Sequence, residues 1–189
     1  MGKKRIAILA SGSGTNAENI FKYFSDKEDV EVDSLWSNKA DAYALVRARN
    51  FGVGSFVFDR EKFYRTDEIL STLRERKVDL IVLAGFLWLI PGNLVSAFPI
   101  INIHPALLPK YGGKGMYGMN VHRAVVANSE TESGISIHYV NEKYDEGALI
   151  FQAKCEVLPE DTPEQVAEKV HELEYRYFPQ VIADVLAKM

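Results

Sequence analysis

Apolar positions in the first half of the chain fall in short runs separated by longer segments of helical periodicity. Arg5–Ala10, Val30–Trp36, Ser55–Phe58 and Val78–Ala84 read as strands, and Asn16–Phe24, Ala40–Asn50 and Glu61–Arg76 as helices between them. Apolar runs of this length alternating with helices are the mark of parallel strands, buried on both faces and joined by crossover helices. The pattern predicts an α/β, Rossmann-like fold with a mostly parallel central sheet and helices on both faces.

A fifth strand, Ile100–His104, runs into Pro105–Asn120, which carries two Pro and four Gly and no usable periodicity. A loop of that length inside a compact unit is usually functional. A short helix (Val121–Ala127), a strand (Gly134–Val140), a turn at Asp145-Glu146-Gly147 and a strand from Leu149 to Val157 follow. Thr162-Pro163-Glu164-Gln165 is a capping box with Pro at the first helical position, and Val166, Val170, Leu173 and Tyr177 then give the terminal helix an apolar stripe. No repeat, low-complexity tract or linker interrupts the chain, so residues 1–189 read as one domain.

Composition narrows the function. Among 189 residues, 22 Lys+Arg against 26 Asp+Glu leave a formal charge of −4, with no basic excess to neutralise a nucleic-acid backbone or to dock on an anionic membrane. Cys155 is the single cysteine, which excludes an intramolecular disulfide and a thiolate-rich metal site and fits a reducing compartment. Ile6–Ala10 is too short for a signal-peptide core or a membrane span, and a cytoplasmic location is expected.

Between the first strand and the first helix lies Ser11-Gly12-Ser13-Gly14-Thr15-Asn16-Ala17. Gly12, Gly14 and Ala17 satisfy the loose dinucleotide fingerprint, but the second strand ends Leu35-Trp36-Ser37-Asn38 without the carboxylate that would hold a ribose. A Walker loop is excluded because no Gly-Lys-[Ser/Thr] follows the glycines. Two compatible readings remain. One is a tight turn in which Thr15 caps the helix and Glu18 closes a capping box, and the other is a phosphate cradle of backbone N–H groups at a helix N-terminus.

Strand periodicity puts Asn102 and His104 on one face at the carboxyl end of the fifth strand, where open α/β sheets bind ligands. An imidazole there can serve as acid, base or electrostatic stabiliser, and the amide beside it can hold a carbonyl or oxyanion oxygen. Asp145 sits in a turn between two strands. If it meets His104, its carboxylate favours the imidazolium. His138 faces inward by alternation, whereas His122 and His171 stand without a constellation, although His171 falls one turn before Glu174. Cys155 reads as structural.

With these residues in view, the chain resembles the phosphoribosylglycinamide formyltransferase family, folate-dependent enzymes of purine synthesis. The likeness runs from Ile6 to about Val181. It rests on Ala10-Ser-Gly-Ser-Gly-Thr-Asn16, Ser37-Asn-Lys-Ala-Asp-Ala42, Val82-Leu-Ala-Gly-Phe86, Ile101-Asn-Ile-His-Pro-Ala-Leu-Leu-Pro-Lys-Tyr111 and Asp145-Glu-Gly147. The resemblance implies the formyltransferase fold and transfer of a formyl group from 10-formyltetrahydrofolate, as co-substrate, to the amine of glycinamide ribonucleotide, without a metal. By matching position, Asn102 would hold the formyl oxygen, His104 would stabilise the tetrahedral intermediate and assist proton transfer, and Asp145 would tune His104. Gly14, Thr15 and Asn16 would bind the ribonucleotide phosphate and Glu174 its ribose. Arg60, Leu87, Trp88, Leu89, Ile90, Asn102, Asn141, Tyr144 and Asp145 would form the folate site. The family commonly has Arg where this chain has Trp88, which reads here as a packed aromatic. Lys110–Gly118 is longer and richer in glycine than the family pattern and reads as a mobile lid. The partners implied are small molecules, with no nucleic acid and no membrane, and a homodimer is compatible.

The rivals are a formyltransferase acting on methionyl-tRNA or a nucleotide sugar, and a ligand-binding module that has lost catalysis. The first kind normally carries a further domain, for which 189 residues leave no room, and a tRNA enzyme needs a basic surface. A sensor would not need Asn102, His104 and Asp145 together.

Overall fold

The computed structural model describes residues 2–189. Seven strands form one sheet: β1 (Lys4–Leu9), β2 (Val30–Ser37), β3 (Gly54–Val57), β4 (Leu80–Leu83), β5 (Ile100–His104), β6 (Glu132–Tyr139) and β7 (Leu149–Glu156). Their order is β3-β2-β1-β4-β5-β6-β7. The first five are parallel, whereas β6 is antiparallel to β5 and β7 to β6.

The helices are α1 (Thr15–Phe24), α2 (Tyr43–Asn50), α3 (Arg60–Tyr64), α4 (Glu68–Glu75), α5 (Gly92–Ala97), α6 (Met119–Ala127) and α7 (Pro163–Ala187). Alternation along the strands splits the core into two layers, since side chains of a strand point to opposite faces in turn. Ile6, Ile8 and Ala10 pack in one layer with Ala17 and Ile20 of α1 and Val170 of α7. Ala7 and Leu9 pack in the other with Phe63 of α3, Leu73 of α4 and Leu94 of α5. Helices therefore cover both faces, as the pattern predicts.

Three elements differ from the sequence reading. The segment 61–76 is two helices, broken over Arg65–Asp67, where the Thr66 hydroxyl donates to the Lys62 carbonyl at 3.1 Å and accepts from Glu68 N–H at 3.3 Å. A hydroxyl that satisfies backbone groups on both sides offers the chain an alternative to continuing the helix. The second helix starts at Tyr43, not Ala40. The short helix α5 has no counterpart in the reading, because Pro91-Gly92 looks like a break when it is in fact a helix start.

At the carboxyl ends of β1, β2 and β4 the loops are tied by Ser11. Its hydroxyl donates to Asn38 Oδ1 at 2.7 Å and accepts from Leu87 N–H at 3.0 Å, while its own N–H donates to the Gly85 carbonyl at 3.0 Å. Ser136 does the same beyond β5, donating to the Ala106 carbonyl at 2.7 Å and accepting from Leu108 N–H at 2.9 Å. These two buried hydroxyls fix the loops that frame the cleft below.

Candidate active site

A cleft of about 640 Å³ opens over the carboxyl ends of β1, β4 and β5. Its walls carry Gly14, Thr15, Asn16 and Glu174, the apolar run Leu87–Ile90 with Tyr144, and Asn102, His104 and Asp145. Two of the expected folate residues stand outside these walls. Arg60 is exposed in the first turn of α3, with its guanidinium 4.9 Å from the Trp88 ring centroid, and lines a separate pocket with Glu61, Tyr64 and Arg65. Asn141 is half-buried and its Oδ1 accepts from Lys143 N–H at 2.9 Å. Trp88 packs among Phe58, Phe63, Tyr64 and Phe86, so it carries the aromatic packing read from the sequence while one side of it faces the cleft.

The glycine loop resolves the two readings of the α1 start. The N-cap is Gly14, with φ 74°, and no side chain caps the helix. Thr15 is already helical, and Glu18 pairs instead with Lys22 and Arg47, so the capping box expected there does not form. Gly14 is required twice over. Its φ favours glycine, and a Cβ would meet Ala44 Cβ at 2.5 Å. An uncapped N-terminus leaves helix N–H groups free and carries the positive end of the helix dipole, which suits an anion. In the first turn of α1 Asn16 Nδ2 donates to Glu174 Oε2 at 3.0 Å, and Asn16 Oδ1 is buried without a partner among the described residues. Burial raises the Glu174 carboxyl above its ordinary range against the pull of Asn16 and His171.

In the centre, β5 and β6 place Asn102 opposite His138 and His104 opposite Ser136. His138 Nδ1 lies 2.9 Å from the Tyr139 carbonyl, which can only accept, so Nδ1 carries the proton and Nε2 is free to accept. Asn102 Nδ2 donates to that Nε2 at 3.2 Å, which fixes the amide orientation and leaves its second N–H unassigned by any contact to His138. Asp145, which the sequence could not place, reaches both imidazoles. Its Oδ2 is 3.6 Å from His104 Nδ1, its Oδ1 is 3.6 Å from His138 Nε2, and Gly113 N–H donates to Oδ2 at 2.9 Å. The turn that delivers it needs Asp145 in the left-handed region, at φ 56°. It also needs Gly147, where a Cβ would stand 1.6 Å from the Tyr139 carbonyl oxygen.

His104 is 4% exposed, and burial lowers its pKa below the ordinary value while Asp145 and the Tyr111 carbonyl oppose the shift. Asp145 thus acts on His104 in the expected direction, but desolvation outweighs it. Burial pushes the Asp145 carboxyl up; His138, His104 and Gly113 N–H overcome this and hold it below the usual range. The site is therefore a neutral imidazole beside an ionised carboxylate near pH 7.

Two further wall residues, His122 and His171, stand without a constellation in the sequence, although His171 is expected there to be within reach of the ribonucleotide. His122 is 1% exposed and His171 lies in the first half of α7, yet their rings stand 6.3 Å apart on the same cleft. Burial, with the neighbouring His171 and His104, lowers the His122 pKa to about 4. His171 at one turn before Glu174 was the one available signal. Among the described residues no group of three or more His, Cys, Asp or Glu is arranged to hold a metal, and no helix is long and apolar enough to cross a membrane.

Known proteins resemble this chain over most of its length. The family model described as Formyl transferase matches residues 4–182. Phosphoribosylglycinamide formyltransferase of Haemophilus influenzae is 39% identical over 95% of this chain and 85% of its own. The chloroplastic phosphoribosylglycinamide formyltransferase of Arabidopsis thaliana is 40% identical over 97% of this chain, which spans 65% of the plant protein's length. The crystal structure of phosphoribosylglycinamide formyltransferase from Bacillus halodurans superposes with a TM-score of 0.86 at 33% identity, covering 98% of this chain and 96% of that one. The chain belongs to the formyl transferase family, in its phosphoribosylglycinamide formyltransferase branch.

Proposed function

We propose that this chain, acting as one formyltransferase domain over residues 1–189, transfers a formyl group from 10-formyltetrahydrofolate to the amine of N1-(5-phosphoribosyl)glycinamide in purine biosynthesis. The observation that carries the reading is the presence of Asn102, His104 and Asp145 in one cleft whose walls also carry an uncapped helix N-terminus and the apolar run Leu87–Ile90. That lining suits a phosphorylated amine and a flat aromatic donor together.

The residues divide the work. Backbone N–H groups of Gly14, Thr15 and Asn16 receive the phosphate, and Glu174, held by Asn16, accepts from the ribose hydroxyls. Leu87–Ile90 and Tyr144 hold the donor's ring, and Arg60, whose guanidinium lies over Trp88, and Asn141, three residues before Tyr144, reach the donor from outside the cleft wall. Asn102 offers its remaining N–H to the formyl oxygen, and this donor matters most as negative charge develops there. His104 is neutral before attack, so it can take a proton from the amine. The resulting imidazolium, beside Asp145, then faces the oxyanion. Positioning and oxyanion stabilisation supply the rate, and no covalent enzyme intermediate is needed. Half-buried Cys155, its thiol pKa raised by burial, lies in β7 and has no part in these steps.

The reading includes a cytoplasmic setting and no metal, and small molecules as the only partners the chemistry requires. The test is formyl transfer from 10-formyltetrahydrofolate by the purified protein, with glycinamide ribonucleotide and methionyl-tRNA offered side by side. Turnover with the ribonucleotide alone is the expected result. No turnover at saturating folate, or preference for the tRNA, would overturn it.

A further inference from the structure

His104 Nε2 lies 2.7 Å from the backbone carbonyl oxygen of Tyr111. A carbonyl can only accept, so at this distance Nε2 must carry the proton. The neutral ring then has its lone pair on Nδ1, the nitrogen that faces Asp145 Oδ2 across 3.6 Å, too long for a hydrogen bond between them. We propose that Tyr111 is a positioning residue whose carbonyl sets the tautomer of His104, so that Nδ1 is the nitrogen that handles the proton in catalysis. The proposal rests on the formyl-transfer reading above.

The carbonyl is aimed by structure that has no other evident purpose. Tyr111 is a non-glycine residue in the left-handed region, at φ 56°, a conformation that persists only where the surroundings hold it. The hold is at the far end of the side chain. Tyr111 Oη donates to Glu130 Oε1 at 2.8 Å, and Lys110 Nζ pairs with the same carboxylate at 3.0 Å. Two residues on, Gly113 N–H donates to Asp145 Oδ2. One short segment therefore orients both partners of the His104–Asp145 pair, and its anchor, Glu130, lies just before β6 and outside the cleft.

The assignment makes the chemistry consistent. As the amine attacks, a bond forms between its nitrogen and the formyl carbon, and Nδ1 takes one amine proton. The imidazolium then keeps its hydrogen bond to the Tyr111 carbonyl at Nε2, and the Asp145 carboxylate, 3.6 Å from Nδ1, stabilises its charge. When the bond between the formyl carbon and the donor nitrogen breaks, Nδ1 returns the proton to that nitrogen. The ionisable groups facing His104 are Asp145, which favours the charged ring, and His138 and His122, which disfavour it. None of these can fix the tautomer at Nε2, since among the described residues only the Tyr111 carbonyl touches it.

The experiment is ¹⁵N NMR of histidine-labelled protein without substrates, together with pH profiles of kcat. In the native protein neutral His104 should show a protonated Nε2 and an unprotonated Nδ1. Tyr111→Phe and Glu130→Ala each remove the anchor, and each should mix the tautomers and lower kcat by about 10–100-fold, with KM for the ribonucleotide little changed. The double variant should be no worse than either, and Glu130→Gln, which still accepts from the tyrosine hydroxyl, should recover most of the loss. A proton on Nδ1 in the native protein would overturn the proposal. So would native tautomer and pH profile in both anchor variants. If His104→Ala kept full activity, the formyl-transfer role of His104 would fall instead, whatever the NMR result.

Discussion

Asn102 and His138 face each other across the β5–β6 pair with Nδ2 3.2 Å from Nε2, and the proton that His138 gives the Tyr139 carbonyl decides which way the Asn102 amide points. An amide in this position could present either its oxygen or its N–H to the cleft. The histidine removes the choice. Replacing His138 with Phe deletes the acceptor and frees the amide, so kcat should fall by about 10-fold or more while ribonucleotide affinity is retained. Steady-state kinetics with calorimetric binding would separate the two, and an unchanged kcat would show that Asn102 is oriented by something else.

His104→Ala should reduce kcat by about 10²–10⁴, the usual worth of a positioned acid–base group, with ribonucleotide Kd within a few-fold of native. Equal loss of both would place His104 in substrate binding.

Asp145→Asn removes the main influence holding the His104 pKa up against burial. The pKa should move further down, and the acid limb of kcat should follow it. An NMR titration that finds no displacement would refute the coupling seen at 3.6 Å.

Acid sensitivity follows from His122. Its folded pKa of about 4 lies below the ordinary 6.5, so between these values the unfolded chain binds more protons and stability falls as pH falls. The loss is absent above about pH 6.5, complete near pH 4, and amounts to about 3 kcal/mol for this group. His122→Leu should flatten the slope, leaving the part due to His104, whose pKa is also lowered. Urea unfolding between pH 4.5 and 7.5 measures it, and an equal slope in the variant would exclude His122 as the source.

Gly14→Ala places a methyl group 2.5 Å from Ala44 Cβ at a φ of 74°. Left-handed strain and overpacking together should cost about 2–4 kcal/mol. Because the same residue starts α1, ribonucleotide binding should weaken more than folate binding. Equal effects on both would mean that the loop does not hold the phosphate.

The sheet and its helices were legible because burial on two faces writes a simple pattern into strands such as Ile6–Ala10 and Ile100–His104. The α3–α4 break was not, since Thr66-Asp67 interrupts an apolar periodicity that continues on either side. The Asn102 and His104 pairing could be read from strand alternation alone. The arrival of Asp145 could not: it depends on Gly147 allowing the turn to fold back onto Tyr139, a contact between residues whose spacing says nothing about it. His122 stands without a constellation in the sequence for a related reason, because its neighbour His171 lies on α7 and only the folded chain brings the two rings to 6.3 Å.

The reversal of strand direction between β5 and β6 has a mechanical consequence. A parallel successor to β5 would oblige the chain leaving His104 to travel back to the opposite end of the sheet, carrying α6 with it. Because β6 runs the other way, the chain re-enters from the end it left. Everything from Pro105 to Thr131 can therefore stay on the ligand side, hung between two strand ends and braced at Ser136. No crossover passes over the sheet here, so the segment that brings the Tyr111 carbonyl to His104 and the Gly113 N–H to Asp145 returns directly to the strand beside His104.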